Sequence, residues 1–167
     1  CLLWINFNRT LNRGEGKLYS QICNSKGERV GNSSLIYESK FSDYVNSTVS
    51  VDRNGNFIIG YAEEVTESKV NMVLRKANRN GELTDKINRL NGEPSWFYLW
   101  EITKDRHNNL LYKYESNGNL MGLKIDESLN PIGETFELVG TRELYNTSSQ
   151  VKFENGNIYF LGSFARE

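Results

Sequence analysis

The 167-residue sequence predicts an all-β protein, and three observations lead to that prediction. Asparagine is abundant, and five Asn residues precede a glycine, which indicates β-hairpins because both residues tolerate the positive φ of a type I′ turn. Val, Ile, Tyr and Phe fall in short runs and there are only two prolines, as is typical of strands. No segment of about 11 residues or more has helical periodicity. The Asn-Gly pairs begin at Asn54, Asn80, Asn91, Asn117 and Asn155.

The predicted strands recur in an internal repeat of about 50 residues. Three stretches share a polar turn followed by an apolar strand: DRNGNFIIGY at 52–61, DRHNNLLYKY at 105–114 and FENGNIYFLG at 153–162. Cut at equivalent points, the chain divides into a partial unit at 1–15 and repeat units at 16–67, 68–117 and 118–167. Each complete unit is expected to form two antiparallel hairpins, and therefore four strands.

The four strands of a unit are labelled A to D. Strands A and B flank the DRNGN-type turn, and the predicted pairs are 48–51 with 57–61, 101–104 with 110–114, and 149–153 with 158–162. Strands C and D flank a second turn, and the predicted pairs are 70–76 with 83–90 and 120–126 with 132–139. Residues 1–9 resemble strand B and are assigned to an earlier unit. In this alignment Leu2, Leu3 and Trp4 are equivalent to Leu110, Leu111 and Tyr112.

Both turns resemble those of β-propeller repeat proteins, of the NHL-like or another six-bladed kind. The matching residues are Val51, Asp52, Gly55, Asn56, Phe57, Ile58 and Ile59 in the first turn and strand, and Arg79, Asn80, Gly81 and Glu82 in the second turn. The third unit departs from the pattern, because Phe153 is aligned with Asp52 and Pro131 with the glycine of the second turn. The resemblance implies a propeller-type array of four-stranded antiparallel blades, about three and a third of which are present.

A closed propeller has four to eight blades, so this chain is expected to be part of a larger propeller. The remaining blades would come from the same longer chain or from another copy. A β-trefoil is the alternative fold, because three units of four strands would complete one. The strand at 1–9 favours the propeller, since a trefoil would hold that strand in surplus.

Charge and motifs indicate neither nucleic-acid binding nor catalysis. The net charge is -1, so no long-range field attracts nucleic acid, and no apolar run reaches the roughly 18 residues of a membrane span. The one histidine, His107, falls in a predicted turn without a nucleophile or metal ligands beside it. Asp52, Asn54 and Asn56 carry oxygen atoms of the kind that bind calcium, but no distal Glu follows at loop spacing. We therefore predict no catalytic residue, no metal site and no cofactor.

The aromatic run PSWFYLWE at 94–101 is the richest candidate for a binding site. In an extended strand Trp96, Tyr98 and Trp100 share one face. If that face is exposed, it is a platform for stacking on sugar rings or for anchoring a protein partner. The alternative interpretation is that these rings fill the space between blades.

The two cysteines, Cys1 and Cys23, are predicted to form a disulfide. In the alignment above, Cys1 opens strand B and Cys23 closes strand C, so antiparallel pairing would bring them together. A disulfide implies an oxidising compartment, so the expected location is extracellular or in the cell envelope. The alternative for Cys1 is lipidation as the first residue of a mature lipoprotein.

These features favour a non-enzymatic binding or scaffolding module that recognises a protein or glycan partner. Two alternatives stay open from the sequence. One is part of a propeller-fold enzyme, of the glycoside hydrolase or lyase type, with its active site at a central channel. The other is a β-trefoil lectin.

Overall fold

The computed structural model describes residues 2–8, 15–39, 47–66, 69–90, 101–104, 109–116, 119–139, 150–154 and 157–161. Within them every regular element is a strand in an antiparallel sheet, which confirms the all-β class. No helix among them is long and apolar enough to cross a membrane. The strands are β1 (Leu2–Asn8), β2 (Glu15–Cys23), β3 (Arg29–Glu38), β4 (Ser47–Val51), β5 (Phe57–Thr66), β6 (Lys69–Ala77), β7 (Leu83–Leu90), β8 (Glu101–Lys104), β9 (Leu110–Ser116), β10 (Asn119–Ile125), β11 (Pro131–Val139), β12 (Gln150–Glu154) and β13 (Asn157–Leu161).

The chain forms two compact units, Cys1–Glu93 and Pro94–Glu167. The first unit contains a three-stranded sheet, β1-β2-β3, and a four-stranded sheet, β4-β5-β6-β7. The second contains a four-stranded sheet, β8-β9-β10-β11, and the pair β12-β13. In every sheet the strands are neighbours in sequence order, as short hairpin connections require. The prediction of a single domain over 1–167 stays a prediction.

The two sheets of the first unit pack face to face through an apolar core. Leu18 and Ile36 of the three-stranded sheet pack with Ile59, Tyr61 and other residues of the four-stranded sheet. These side chains alternate with residues of the opposite face, because successive residues of a strand point to opposite sides. The rings of Tyr37 and Tyr61 stack across this interface with centroids 5.3 Å apart. The strand β1 also lies beside β4, so the sheets meet near their first strands.

In the second unit, the four-stranded sheet is buried on both faces of β9. The run from Leu110 to Tyr114 is buried throughout, although its residues alternate between the faces. On β10 the buried residues include Leu120, Leu123 and Ile125. The strand β12 lies beside β8, the first strand of the sheet.

The predicted strand pairs are confirmed by the register of the sheets. Val51 pairs with Phe57 in the first A–B hairpin, and Lys104 pairs with Leu110 in the second. The C–D hairpins form between β6 and β7 and between β10 and β11. Each four-stranded sheet runs from A to D, so sheet boundaries fall between D and A, whereas the predicted repeat units begin at strand C.

The alignment of the first strand was wrong by two residues. Leu2 pairs with Gln21, and Gln21 lies two residues before the end of β2. The residue in the same place in the second unit is Tyr112, which pairs with Leu123, two residues before the end of β10. Leu2 therefore corresponds to Tyr112 and not to Leu110. A shift of two residues leaves each side chain on the same face, which is why the apolar pattern did not reveal it.

The type I′ assignment was also wrong where the structure describes the turns. Gly55 and Gly81 have φ values of +77° and +84°, but Leu129 is the one non-glycine residue among the described residues with a positive φ. Asn54 and Asn80 therefore lack the positive φ that a type I′ turn requires. The Gly55 N–H donates to Asp52 O, and the Asp52 N–H donates to Asn56 O. This is a three-residue loop whose last residue is left-handed, the second most common kind of hairpin.

The two departures of the third unit have structural explanations. In the second turn Leu129 N donates to Asp126 O, as Gly81 N does to Asn78 O, so Leu129 and not Pro131 takes the position of the glycine. Pro131 instead follows the turn at 126–130 and begins β11. In the hairpin of β12 and β13, Phe153 pairs with Ile158 and so lies within the strand, where no turn-capping Asp is needed.

Candidate functional site

Three hairpin turns of the first unit share one hydrogen-bonding pattern. We call this group of three turns the turn end. They are Asn24–Glu28, Asp52–Asn56 and Asn78–Glu82. In each, the N–H of the fourth residue, a glycine, donates to the carbonyl of the first over 2.9–3.1 Å, and the N–H of the first donates to the carbonyl of the fifth over 2.9 Å. The glycine carries the positive φ, which other residues adopt only at a free-energy cost.

A side-chain oxygen of the first residue caps each of these turns from within. In the turn that begins at Asp52, Oδ1 accepts from the N–H groups of Asn54 and Asn56 over 2.9 and 2.8 Å. The Oδ1 atoms of Asn24 and Asn78 accept from the corresponding N–H groups over 2.9–3.0 Å. Asn and Asp recur at the start of turns because their short side chains reach the backbone two residues on. These turns are therefore stabilised by hydrogen bonds between their own backbone and side-chain groups.

Asp52 differs from the other two capping residues because it carries a buried charge. Its side chain is 1% exposed, and Oδ2 lies 2.6 Å from Lys76 Nζ. Asn56 Nδ2 donates to the same oxygen over 2.9 Å. Burial by itself would raise the pKa of Asp52, but the hydrogen bonds from Lys76 and Asn56 and the charge of Lys76 lower it to about 2. The carboxylate is therefore ionised at neutral pH, and both of its oxygens are occupied within the protein.

Two contacts hold the turns of the turn end against their neighbours. Arg79 Nε donates to Asn54 O over 2.6 Å, which joins the two hairpins of the four-stranded sheet. A Cβ at Gly81 would lie 2.5 Å from Ile22 Cγ1, so this glycine packs directly on the end of β2. Glycine is required there both by its φ of +84° and by the space that Ile22 fills.

Further from the turns, the interface of the two sheets holds a polar cluster around Tyr61. Arg75 Nη1 donates to Ile36 O over 3.1 Å and so links the sheets. The Nε atom of Arg75 is buried, but it has no hydrogen-bond acceptor among the described residues. Burial raises the pKa of Tyr61, and the charge of Arg75 opposes part of that rise. Near it, Arg89 forms a bidentate ion pair with Glu63, with distances of 2.6 and 3.0 Å.

The ion pair between Lys113 and Glu101 in the second unit is unequally buried. Lys113 on β9 is 2% exposed, whereas its partner Glu101 on β8 is 44% exposed, and Nζ lies 2.7 Å from Oε2. Glu101 is paired directly with Lys113 in the sheet register, so the two side chains lie on the same face. The pair joins the first strand of the sheet to the second.

The predicted aromatic platform lies outside the described residues. Trp96, Tyr98 and Trp100 belong to the connection between the end of β7 at Leu90 and the start of β8 at Glu101. Their role in binding therefore stays a prediction. His107 also lies outside the described residues, between β8 and β9.

The predicted disulfide is likewise untested. Cys23 ends β2 and is half-buried, whereas Cys1 lies outside the described residues. The register pairs Leu2 with Gln21, so the described part of β1 begins opposite a residue two places before Cys23.

The described residues contain no group of three or more His, Cys, Asp or Glu side chains placed to hold a metal ion. The polar residues with defined geometry cap turns or join strands. Sequence reasoning considered Asp52 as a ligand and did not single out Lys76 or Arg75. The predicted repeat carries a signal for Lys76, because Lys124 is aligned with it and Asp105 is aligned in sequence with Asp52.

Comparisons with known proteins do not assign the chain to a family. No protein-family model matches it, and no curated protein is similar to it. A crystal structure of a protein of unknown function from Bacteroides caccae is similar over 89% of this chain, with 13% sequence identity and a TM-score of 0.49. The matched region is 48% of that chain, so this chain spans about half its length.

Proposed function

We propose that this protein is a non-enzymatic binding or scaffolding module, built as a propeller-type array of four-stranded antiparallel blades, that recognises a protein or glycan. The observation that carries the proposal is the recurrence of one sheet in one register, with hairpin turns that satisfy their own polar groups. Such turns hold the sheets rigid, so the connections between sheets can vary in sequence while their positions stay fixed. A preorganised surface of this kind favours recognition, because little conformational entropy is lost on binding.

Packing supports the propeller-type arrangement over a trefoil. The sheets of the first unit pack face to face, with β1 beside β4, and β12 lies beside β8 in the second unit. Both contacts join strands near the start of successive sheets, as blades arranged around an axis require. A closed ring has four to eight blades, so we propose that further blades, from the same longer chain or from another copy, complete it.

We propose the connection between β7 and β8 as the recognition surface, with Trp96, Tyr98 and Trp100 as its anchors. The variants Trp96→Ala and Trp100→Ala remove the rings, and the matched controls Trp96→Phe and Trp100→Phe keep an aromatic face. On a glycan array and in a pull-down with purified candidate proteins, we expect the Ala variants to weaken binding by about tenfold or more. The Phe variants are expected to retain most of it. Urea unfolding of each variant separates loss of binding from loss of folding.

Three results would contradict this proposal. Binding that survives both Ala variants would exclude the aromatic platform and leave the module without its proposed anchors. Turnover of a polysaccharide, abolished by one carboxylate substitution, would make the protein an enzyme. If the protein isolated from its source has a mass of 19.2 kDa and is a stable monomer in solution, no further blades complete a ring.

An extracellular or cell-envelope location forms part of the proposal, and the predicted Cys1–Cys23 disulfide is its chemical support. Alkylation of the unfolded protein before and after reduction tests it. We expect no thiol to react before reduction and two to react afterwards. Two reactive thiols in protein taken from its source would remove the support for this location.

A further inference from the structure

We propose that Asn54 and Asn80 are latent deamidation sites that the folded turns hold closed. The chemistry begins with an Asn-Gly pair, in which the glycine nitrogen attacks Cγ of the asparagine side chain. A new C–N bond forms, and the side-chain nitrogen leaves as ammonia with the proton of the glycine N–H. Water then opens the cyclic imide at either carbonyl and yields aspartate or isoaspartate. Water is the one co-reactant, and glycine favours the attack because it has no side chain to obstruct it.

Both sites are open to water but closed to attack. Asn54 and Asn80 are exposed, so hydrolysis and the loss of ammonia face no barrier of access. The nitrogens that would attack are engaged elsewhere, because Gly55 N donates to Asp52 O over 3.1 Å and Gly81 N donates to Asn78 O over 2.9 Å. Each glycine nitrogen therefore has to leave its turn hydrogen bond before it can reach the neighbouring Cγ.

The peptide groups on both sides of Asn54 are also restrained. Its own N–H donates to Asp52 Oδ1 over 2.9 Å, and its carbonyl accepts from Arg79 Nε over 2.6 Å. At the second site the Asn80 N–H donates to Asn78 Oδ1 over 2.9 Å, and Gly81 packs on Ile22. Rotation of the asparagine backbone into an attacking geometry breaks these contacts together. The rate of deamidation in the folded protein is therefore set by opening of the turn.

The product would not restore the turn. Isoaspartate adds one carbon to the backbone inside each turn. The turn hydrogen bond needs the glycine nitrogen to lie 2.9–3.1 Å from the carbonyl oxygen of the first turn residue. Aspartate at position 54 adds a charge close to the buried carboxylate of Asp52. Deamidation thus converts a transient opening of either turn into a permanent change of the turn end.

The first test compares folded protein with protein in concentrated urea, at the same mildly alkaline pH. Peptide mass mapping, with enzymatic methylation of isoaspartate, gives a separate rate for each site. We expect both sites to react at least about tenfold more slowly in the folded protein. Equal rates in the two conditions would overturn the proposal.

The second test loosens one turn at a time. Asn78→Ala removes the side-chain cap of the exposed turn at Asn80 and keeps the Asp52 cap of the turn at Asn54, so we expect the rate at Asn80 to rise about threefold or more relative to that at Asn54. Asp52→Ala is expected to shift the same ratio in the opposite direction. Because both rates come from one sample, a general loss of stability acts on both sites. A ratio that Asn78→Ala leaves unchanged, in protein that is still folded by circular dichroism, would overturn the proposal.

Discussion

The buried ion pair between Asp52 and Lys76 gives the sharpest stability prediction. The pKa of the Asp52 carboxyl falls from 3.8 to about 2 on folding. A tenfold change in proton affinity is worth about 1.4 kcal/mol. Ionisation of Asp52 therefore contributes roughly 2–3 kcal/mol to the free energy of unfolding at neutral pH. We expect Lys76→Met to remove most of this, because a carboxylate that is 1% exposed would lose its counter-charge.

The pH dependence follows from the direction of the shift. The folded protein holds Asp52 ionised at pH values where the unfolded chain binds a proton, so the free energy of unfolding falls as pH is lowered from about 4 towards about 2. Asp52→Asn removes this titration. Urea unfolding at pH 7 and at several values between 4 and 2 measures both proteins. The stability difference between wild type and Asp52→Asn should shrink over that interval.

The matched control is the pair of Arg89 and Glu63. Its N–O distance is also 2.6 Å, but the side chain of Arg89 is 48% exposed. Solvent screens such a pair, so Arg89→Met should lower the unfolding free energy by less than about 1 kcal/mol. If Lys76→Met and Arg89→Met are equally mild, or if the Asp52→Asn difference is the same at pH 7 and near pH 2, burial does not strengthen the inner pair and the reasoning is wrong.

Three further substitutions test the turns and the second unit by urea unfolding at pH 7. Gly81→Ala should lower the free energy of unfolding by about 2–4 kcal/mol, because φ is +84° and the new Cβ would lie 2.5 Å from the side chain of Ile22 on β2. The control Gly27→Ala should lower it by only about 1 kcal/mol, because φ is +81° but no atom lies within 4 Å of the new Cβ. Equal losses would contradict the packing argument. Leu129→Ala should cost about 2–4 kcal/mol for a side chain with no exposed surface. Leu129→Gly should cost no more than that, because glycine relieves a φ of 65° worth about 1 kcal/mol; a clearly less stable Gly variant would refute the strain. Glu101→Gln should lower the free energy of unfolding by about 1–3 kcal/mol, because the ammonium of Lys113, whose side chain is 2% exposed, would lose the carboxylate beside it. No change in stability would contradict a stabilising role for this ion pair.

The strands and their pairing were predictable because they depend on local information. The alternation of Val70, Met72 and Leu74 indicates a strand, and a polar turn between two such runs indicates a hairpin. The sequence did not indicate that Val73, on the opposite face, is buried as well. The register inside each hairpin follows from the turn that joins its strands. The position of β1 was misplaced by two residues because its partner β2 is joined through a longer connection, and the apolar pattern repeats every two residues.

The turns show where such reasoning stops. Asn-Gly pairs indicate a hairpin correctly, but two loop lengths use the same pair, and only the hydrogen bonds of Gly55 and Asn56 distinguish them. Leu129 in place of glycine could not be expected from propensity, because a leucine with positive φ is disfavoured. Its burial within the second unit outweighs that local cost.

The sequence by itself determined the all-β class, the hairpin pairs and the places of the turns, because these depend on side-chain alternation and on the φ preferences of neighbouring residues. The tertiary structure alone decided what Asp52 does. Its partner Lys76 lies two strands away, and the carboxylate is buried by residues that no local pattern brings together. Asp52 has oxygen atoms of the kind that bind calcium, but folding places the Lys76 ammonium and three N–H donors around its carboxylate, so both oxygens are bonded within the protein.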